Sequence, residues 1–207
     1  MMHSLEAIAE EVRACRKCPL GQSRTCAVPG EGAASAAIMF IGEGPGFHED
    51  RQGRPFVGAA GKFLDELLAG IGLKREDVYI TNVVKCRPPG NRDPQPNELA
   101  ACSDFLDRQI AAIQPRIIVT LGRFSMARFF TGVSISRIHG QARRLDQAMV
   151  MPMLHPAAAL HQPKWRMAIE EDFQKLSALL KQLGADSRVK SQSAESEDDN
   201  LEQLRLF

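Results

Sequence analysis

At 207 residues, 44% of them hydrophobic, the chain is long enough for one α/β domain with a substantial core. Its formal charge of +1, from 26 Lys and Arg against 25 Asp and Glu, excludes a strongly basic protein, so any nucleic-acid site must come from local clustering of Arg and Lys. No apolar run has the length of a membrane span and the start lacks the apolar core of a secretion signal. A cytoplasmic protein is therefore expected, in which five cysteines are ligands or buried thiols and not disulfides.

Leu5, Ile8, Ala9 and Val12 recur at helical spacing, and this helix runs into Cys15-Arg16-Lys17-Cys18-Pro19. A C-x-x-C closing a helix is half of a metal site. The matching half is Cys86 and Cys102, with fifteen residues between them, among which Pro88, Pro89, Pro94 and Pro96 force the chain into a looped return. Four thiolates take zinc or an iron–sulfur cluster, and ligand type alone does not separate the two. Cys26 is left over as an unligated thiol.

The apolar run from Ala36 to Ile41 predicts a strand, and Phe63, Leu64, Leu67 and Leu68 predict a helix after it. Between them lies GEGPGFHEDRQGRPFVG, from Gly42 to Gly58. Its glycines let backbone approach a flat ligand closely. Glu43, Glu49 and Asp50 crowd acids into it, and Phe56 follows Pro55 and presents a ring. Neither a dinucleotide fingerprint nor a P-loop is present, and the acids argue against phosphate. A planar heterocycle suits this set better.

Asp77 to Val84 predicts a second strand ending near Asn82, where ligands collect in open parallel sheets. An amide side chain offers a donor and an acceptor together, which suits the polar edge of a planar heterocycle; the alternative is an Asn that caps a turn. Asn97 precedes a helix from Glu98 to Ile113 that carries Cys102, and Arg116 to Gly122 predicts a third strand. Residues 133–144 form an irregular basic connection with Arg137, His139, Arg143 and Arg144, to be read as phosphate contact or as a solvated loop. Ala148 to Leu154 predicts a fourth strand that delivers His155 and the run HPAAAL, whose Leu160 has packing under the last helix as its ordinary role.

That helix is predicted from Lys164 to about Leu183 by Trp165, Ile169, Phe173, Leu176, Leu179 and Leu180, ending at Gly184. From Ser187 the chain is Ser-rich and acidic, with five acids against three bases, so 187–202 is expected to be a disordered linker. It closes on Gln203-Leu204-Arg205-Leu206-Phe207. These residues resemble the bacterial sliding-clamp-binding motif, with Gln203, Leu204, Leu206 and Phe207 as the implied contacts; the alternative is a tail folded back on the body.

Taken together, GEGPGFHEDRQGRPFVG with AAGKFL, TNVVKCRPPGNRDPQPNE and MLHPAAAL resemble the family-four iron–sulfur uracil-DNA glycosylases, in order, from about Cys15 to about Leu180. The resemblance implies a three-layer α/β/α sandwich with a central four-stranded, mainly parallel sheet over residues 1–186, acting as a monomer on uracil-containing DNA. It implies a 4Fe–4S cluster on Cys15, Cys18, Cys86 and Cys102. It assigns catalysis to Glu43 and His155, with Glu49 or Asp50 placing water. Uracil binding falls to Gly42, Gly44, Phe56, Asn82 and His155, and DNA contact to Leu160, Arg143 and Arg144. His155 would support charge on uracil O2 as the glycosidic bond breaks. Phe47 stands where relatives commonly carry an acid, which concentrates the implied chemistry on Glu43. Relatives that become trapped on uracil carry a His after the second strand; Arg87 to Asn97 holds none, so turnover is expected.

Overall fold

The structure is a computed structural model that describes residues 4–203. Its first compact unit, which extends to Phe173, is built on a sheet of six strands. Four of them are parallel and buried: β2 (Ile38–Gly42), β3 (Tyr79–Asn82), β4 (Ile117–Leu121) and β6 (Ala148–Met153). Two short edges, β1 (Glu31–Gly32) and β5 (Arg143–Leu145), pair antiparallel with β3 and β6 and complete the order β1-β3-β2-β4-β6-β5. The four expected strands are present; the two extra edges, of two and three residues, are too short to leave an alternating pattern in the sequence.

Apolar side chains cover both faces, which is why the central strands are continuous hydrophobic runs. Met39, Ile41, Ile118 and Val150 face Leu106 and Ile113 of α5 (Pro96–Ile113), while Phe40 stacks on Phe173 at 5.9 Å from the opposite face. Helices thus lie on either side of the sheet. The amphipathic α1 (Leu5–Ala14), capped by Ser4, packs against α5 through Ile8 and Val12, and the short α2 (Leu20–Ser23) follows the C-x-x-C turn.

The glycine-rich connection after β2 contains a helix that its composition hides, α3 (Phe47–Gln52), before α4 (Ala59–Gly70). Two further short helices, α6 (Arg123–Ala127) and α7 (Ile135–Ile138), lie between β4 and β5. The turn of α8 (Pro156–His161) follows His155.

The last helix, α9, spans Pro163–Gln203, and its residues from Gln174 form the second compact unit. It continues through Gly184 and across 187–202, where a stop and a linker were expected. One glycine costs a helix only about 1 kcal/mol, and no proline follows to break it. Of the clamp-like peptide, Gln203 ends this helix, and Leu204, Leu206 and Phe207 lie outside the described residues.

Candidate active site

The chain leaves β2 toward β3 on one side and returns to β4 on the other, so the C-terminal ends of these strands open a crevice. A cleft of about 530 Å³ occupies it, lined by Glu43, Gly44, Glu49, Phe56, Asn82, His155 and Leu160 among others. Seven residues singled out from three separate motifs thus meet in one place. Three of them stand at strand ends or in the turns just beyond: Glu43 after β2, Asn82 closing β3, His155 after β6.

Asn82 is 2% exposed, and its Oδ1 has no hydrogen-bond partner. A buried acceptor left unpaired costs about 1–3 kcal/mol, which a ligand donor would recover. Gly42, opposite Asn82 in the ladder, does not line the cleft. It makes room, since a Cβ there would come 2.4 Å from Asn82 Oδ1 and 2.7 Å from the Phe56 ring.

His155 caps α8, its Nδ1 accepting the Ala157 amide at 3.1 Å. With Nδ1 an acceptor, the proton of the neutral ring sits on Nε2, which becomes a donor. Burial pulls the His155 pKa down to about 4 against the opposing pull of the Glu49 carboxylate, so the ring is neutral at physiological pH. Gly122, at φ +94°, follows β4 and leaves space for the His155 Cβ 3.3 Å from where its own would be.

Phe56 stacks with His155 at 5.6 Å and 25° between planes. Its φ of 52° is uncommon for a residue with a side chain, a strain of about 1–3 kcal/mol that its surroundings must hold. Arg75 does so, donating Nη1 to the Phe56 carbonyl at 3.0 Å and Nη2 to that of Pro55, while Glu31 grips its Nε at 2.5 Å. Gly61 completes the fit, because a Cβ there would lie 1.9 Å from the Phe56 oxygen. Neither Arg75 nor Glu31 carries any signal in the sequence, since Arg75 acts through backbone carbonyls about twenty residues away and Glu31 through Arg75.

The acids of the turn take separate roles. Glu43 is half-buried; burial raises its pKa, the Asp93 carboxylate adds to this, and Arg123 opposes it. Glu49 lines the cleft, but both oxygens are committed: Oε2 accepts Gly46 N–H at 3.1 Å, and Oε1 accepts Val57 and Gly58 N–H at 2.9 and 2.8 Å. It shapes the turn. Asp50 is buried away from the cleft and accepts the Thr25 amide at 3.0 and 3.2 Å, so placement of water by Asp50 does not fit its position. Sequence proximity alone had grouped it with Glu43 and Glu49, and the helix α3 turns it inward. Arg143 and Arg144 sit on the edge strand β5, with the Arg143 guanidinium over Phe130 at 5.8 Å, and neither lines the cleft.

A second, smaller cavity is lined by all four predicted ligands, Cys15, Cys18, Cys86 and Cys102, with Lys85 and Arg24. Among the described residues no three His, Cys, Asp or Glu side chains are drawn together into a metal site as they stand. Hydrogen-bond donors nevertheless reach two of the sulfurs. Arg24 Nη1 donates to Cys86 Sγ at 2.9 Å, and the Lys85 amide donates to Cys102 Sγ at 3.3 Å. Burial raises the thiol pKa of Cys86 and pushes that of Cys102 to about 11. Lys85 is buried, with Nζ donating to Thr81 Oγ1, the Asn82 carbonyl and Gln109 Oε1 at 2.6, 2.8 and 2.7 Å. It ties the strand end bearing Asn82 to the cysteine cavity, a link invisible in the sequence.

The family model described as the uracil DNA glycosylase superfamily matches residues 29–182. The chain belongs to that superfamily. It is 53% identical over 188 residues to the type-4 uracil-DNA glycosylase of Sulfurisphaera tokodaii, covering 86% of each chain. Against the type-4 uracil-DNA glycosylase of Archaeoglobus fulgidus it is 49% identical over 187 residues, 86% of this chain and 94% of the relative. Identity to the type-4 uracil-DNA glycosylase of Thermotoga maritima is 46% over 185 residues, 87% and 96% of the two chains. The superfamily match contains the whole cleft, from Glu43 to Leu160, and Cys86 and Cys102, whereas Cys15 and Cys18 precede it.

Proposed function

We propose that this chain is a monofunctional uracil-DNA glycosylase of base excision repair, which hydrolyses the N-glycosidic bond of uracil flipped out of DNA. The observation that carries this reading is the buried, unpaired Asn82 Oδ1 in a cleft that also holds the neutral His155 ring. Uracil brings N3–H to that oxygen, whereas cytosine presents a bare N3 and would leave it unpaired. Phe56 stacks on the base, which must leave the duplex to reach it.

As the C1′–N1 bond breaks, its electron pair stays on uracil and the sugar gains positive character. His155 Nε2–H donates to O2, where negative charge grows, and being neutral it does so without giving up its proton. The Glu43 carboxylate faces the sugar, stabilises the cation and takes a proton from the water whose oxygen joins C1′. Solvent then protonates the departing uracil anion. No lysine lines the cleft among the described residues, which supports simple hydrolysis over a Schiff base. Leu160, half exposed beside the cleft, fills the place of the flipped base.

Cys15, Cys18, Cys86 and Cys102 would hold a 4Fe–4S cluster, which supplies a structural clamp joining the end of α1 to the loop after β3 and to α5. Four cysteines lining one cavity, and donors aimed at two of their sulfurs, support it. The C-terminal QLRLF would dock on the sliding clamp and raise the local concentration of the enzyme on DNA in the cytoplasm. Deleting residues 203–207 should then abolish clamp binding and spare activity on short oligonucleotides.

The function is tested by release of free uracil from a uracil-containing oligonucleotide. Wild type turns over repeatedly, while Glu43→Ala and His155→Ala fall by about two orders of magnitude or more. Binding without release by the wild type would replace the enzyme with a uracil-recognising module.

A further inference from the structure

Positive charge gathers on an aromatic ring at the mouth of the cleft. Phe47 lines the cleft and is 48% exposed. The guanidinium of Arg51, one turn along α3, lies 5.7 Å from its centroid, and that of Arg87, from the loop after β3, lies 5.3 Å from it. Arg87 is aimed by its own Nε, which donates to Asn91 Oδ1 at 2.7 Å. Nearby Arg92 and Arg123 are neutralised by Glu98 and Asp93. Among the described residues no carboxylate stands within ion-pair distance of Arg51 or Arg87.

Two like charges drawn to one ring repel each other, and an exposed cation–π contact returns only about 0.5–1 kcal/mol. The arrangement suits an anion that meets both. A nucleotide whose base occupies the cleft carries its phosphodiesters past this mouth, and guanidinium groups suit phosphate oxygens. We propose that Phe47, Arg51 and Arg87 form a phosphate clamp that holds the strand carrying the flipped uracil. The clamp rests on the glycosylase reading and adds to it a DNA contact separate from the basic residues of β5. It also gives a role to Phe47: an acid there would pair with the arginines and compete with phosphate, whereas a ring gathers them and leaves their charge available.

The test is the salt dependence of binding to a single-stranded oligonucleotide carrying 2′-fluoro-2′-deoxyuridine, whose fluorine stops glycosidic cleavage. Each of Arg51→Ala and Arg87→Ala should lower the slope of log Kd against log salt by about 0.7, and the double variant by about 1.4. Arg51→Lys and Arg87→Lys should keep the slope. Loss of affinity with an unchanged slope, or no change at all, would overturn the clamp. Free uracil as inhibitor reports the base pocket separately, and should act equally on wild type and both alanine variants. If it failed only in the variants, these arginines would be shaping the pocket and the clamp would be rejected. If it failed even in the wild type, the base-pocket reading would fall while the slopes still judged the clamp.

Discussion

His155 donates from Nε2 because the Ala157 amide occupies Nδ1 and because burial keeps the ring neutral down to about pH 4. Glu43 titrates the other way: burial and Asp93 raise its pKa, and only its ionised form can face a sugar cation. The rate kcat/KM should therefore rise with pH through the elevated Glu43 pKa and level off above it. Glu43→Gln should remove that acid limb from the residual rate. A profile whose limb persists in Glu43→Gln would assign it to another group. The same raised pKa makes the carboxylate a liability to folding. Its burden is absent at low pH and grows as pH rises past the unfolded-state value, so Glu43→Gln should unfold at a higher temperature than wild type at neutral pH and lose that advantage in acid. For Asn82, removal of the side chain takes away the proposed partner of uracil N3–H. Asn82→Ala should cost about 2 kcal/mol or more in kcat/KM and narrow the preference for uracil over cytosine.

At the scale of elements, the stacking ring depends on pieces far from the base. Phe56 holds its positive φ only because Arg75, anchored by Glu31 and Asp65 ahead of β3, grips two carbonyls of the turn before α4. Arg75→Ala should destabilise the fold by about 2 kcal/mol, the value of lost charge-assisted hydrogen bonds. It should also raise KM more than it lowers kcat, since the chemistry proposed at Glu43 and His155 is untouched. An equal fall in kcat would show that the ring also aligns His155, on which it stacks. Gly61→Ala attacks the same contact from α4 and should do more, because its Cβ would enter the Phe56 carbonyl and the backbone must move. The capping glutamate of α3 belongs here too: three amides converge on Glu49, so its loss would loosen the turn and not a single proton transfer.

For the molecule as a whole, the cysteine cavity joins α1, the loop after β3 and α5, and Lys85 carries that junction to Asn82. Purified protein should be brown, and Cys86→Ala should lose the visible absorbance together with several degrees of thermal stability, about what a lost structural metal site costs a small domain. A colourless wild type binding zinc with the same stability would replace the cluster by a zinc site. The sequence by itself determined the parallel strands, the long helices, the four thiols and the main cleft residues. Buried strands and amphipathic helices write their periodicity into the chain, and motifs that touch a ligand keep their residues close in sequence. Only the tertiary structure decided which acid faces the cleft. Glu43, Glu49 and Asp50 are alike in composition, and the turn of α3 sends Asp50 into the interior and spends Glu49 on backbone amides. It likewise decided the supports, Arg75, Gly122 and Lys85, and the gathering of Arg51 and Arg87 on Phe47. Arg75, Gly122 and Arg87 make their contacts with positions remote in the chain, and no local pattern records them.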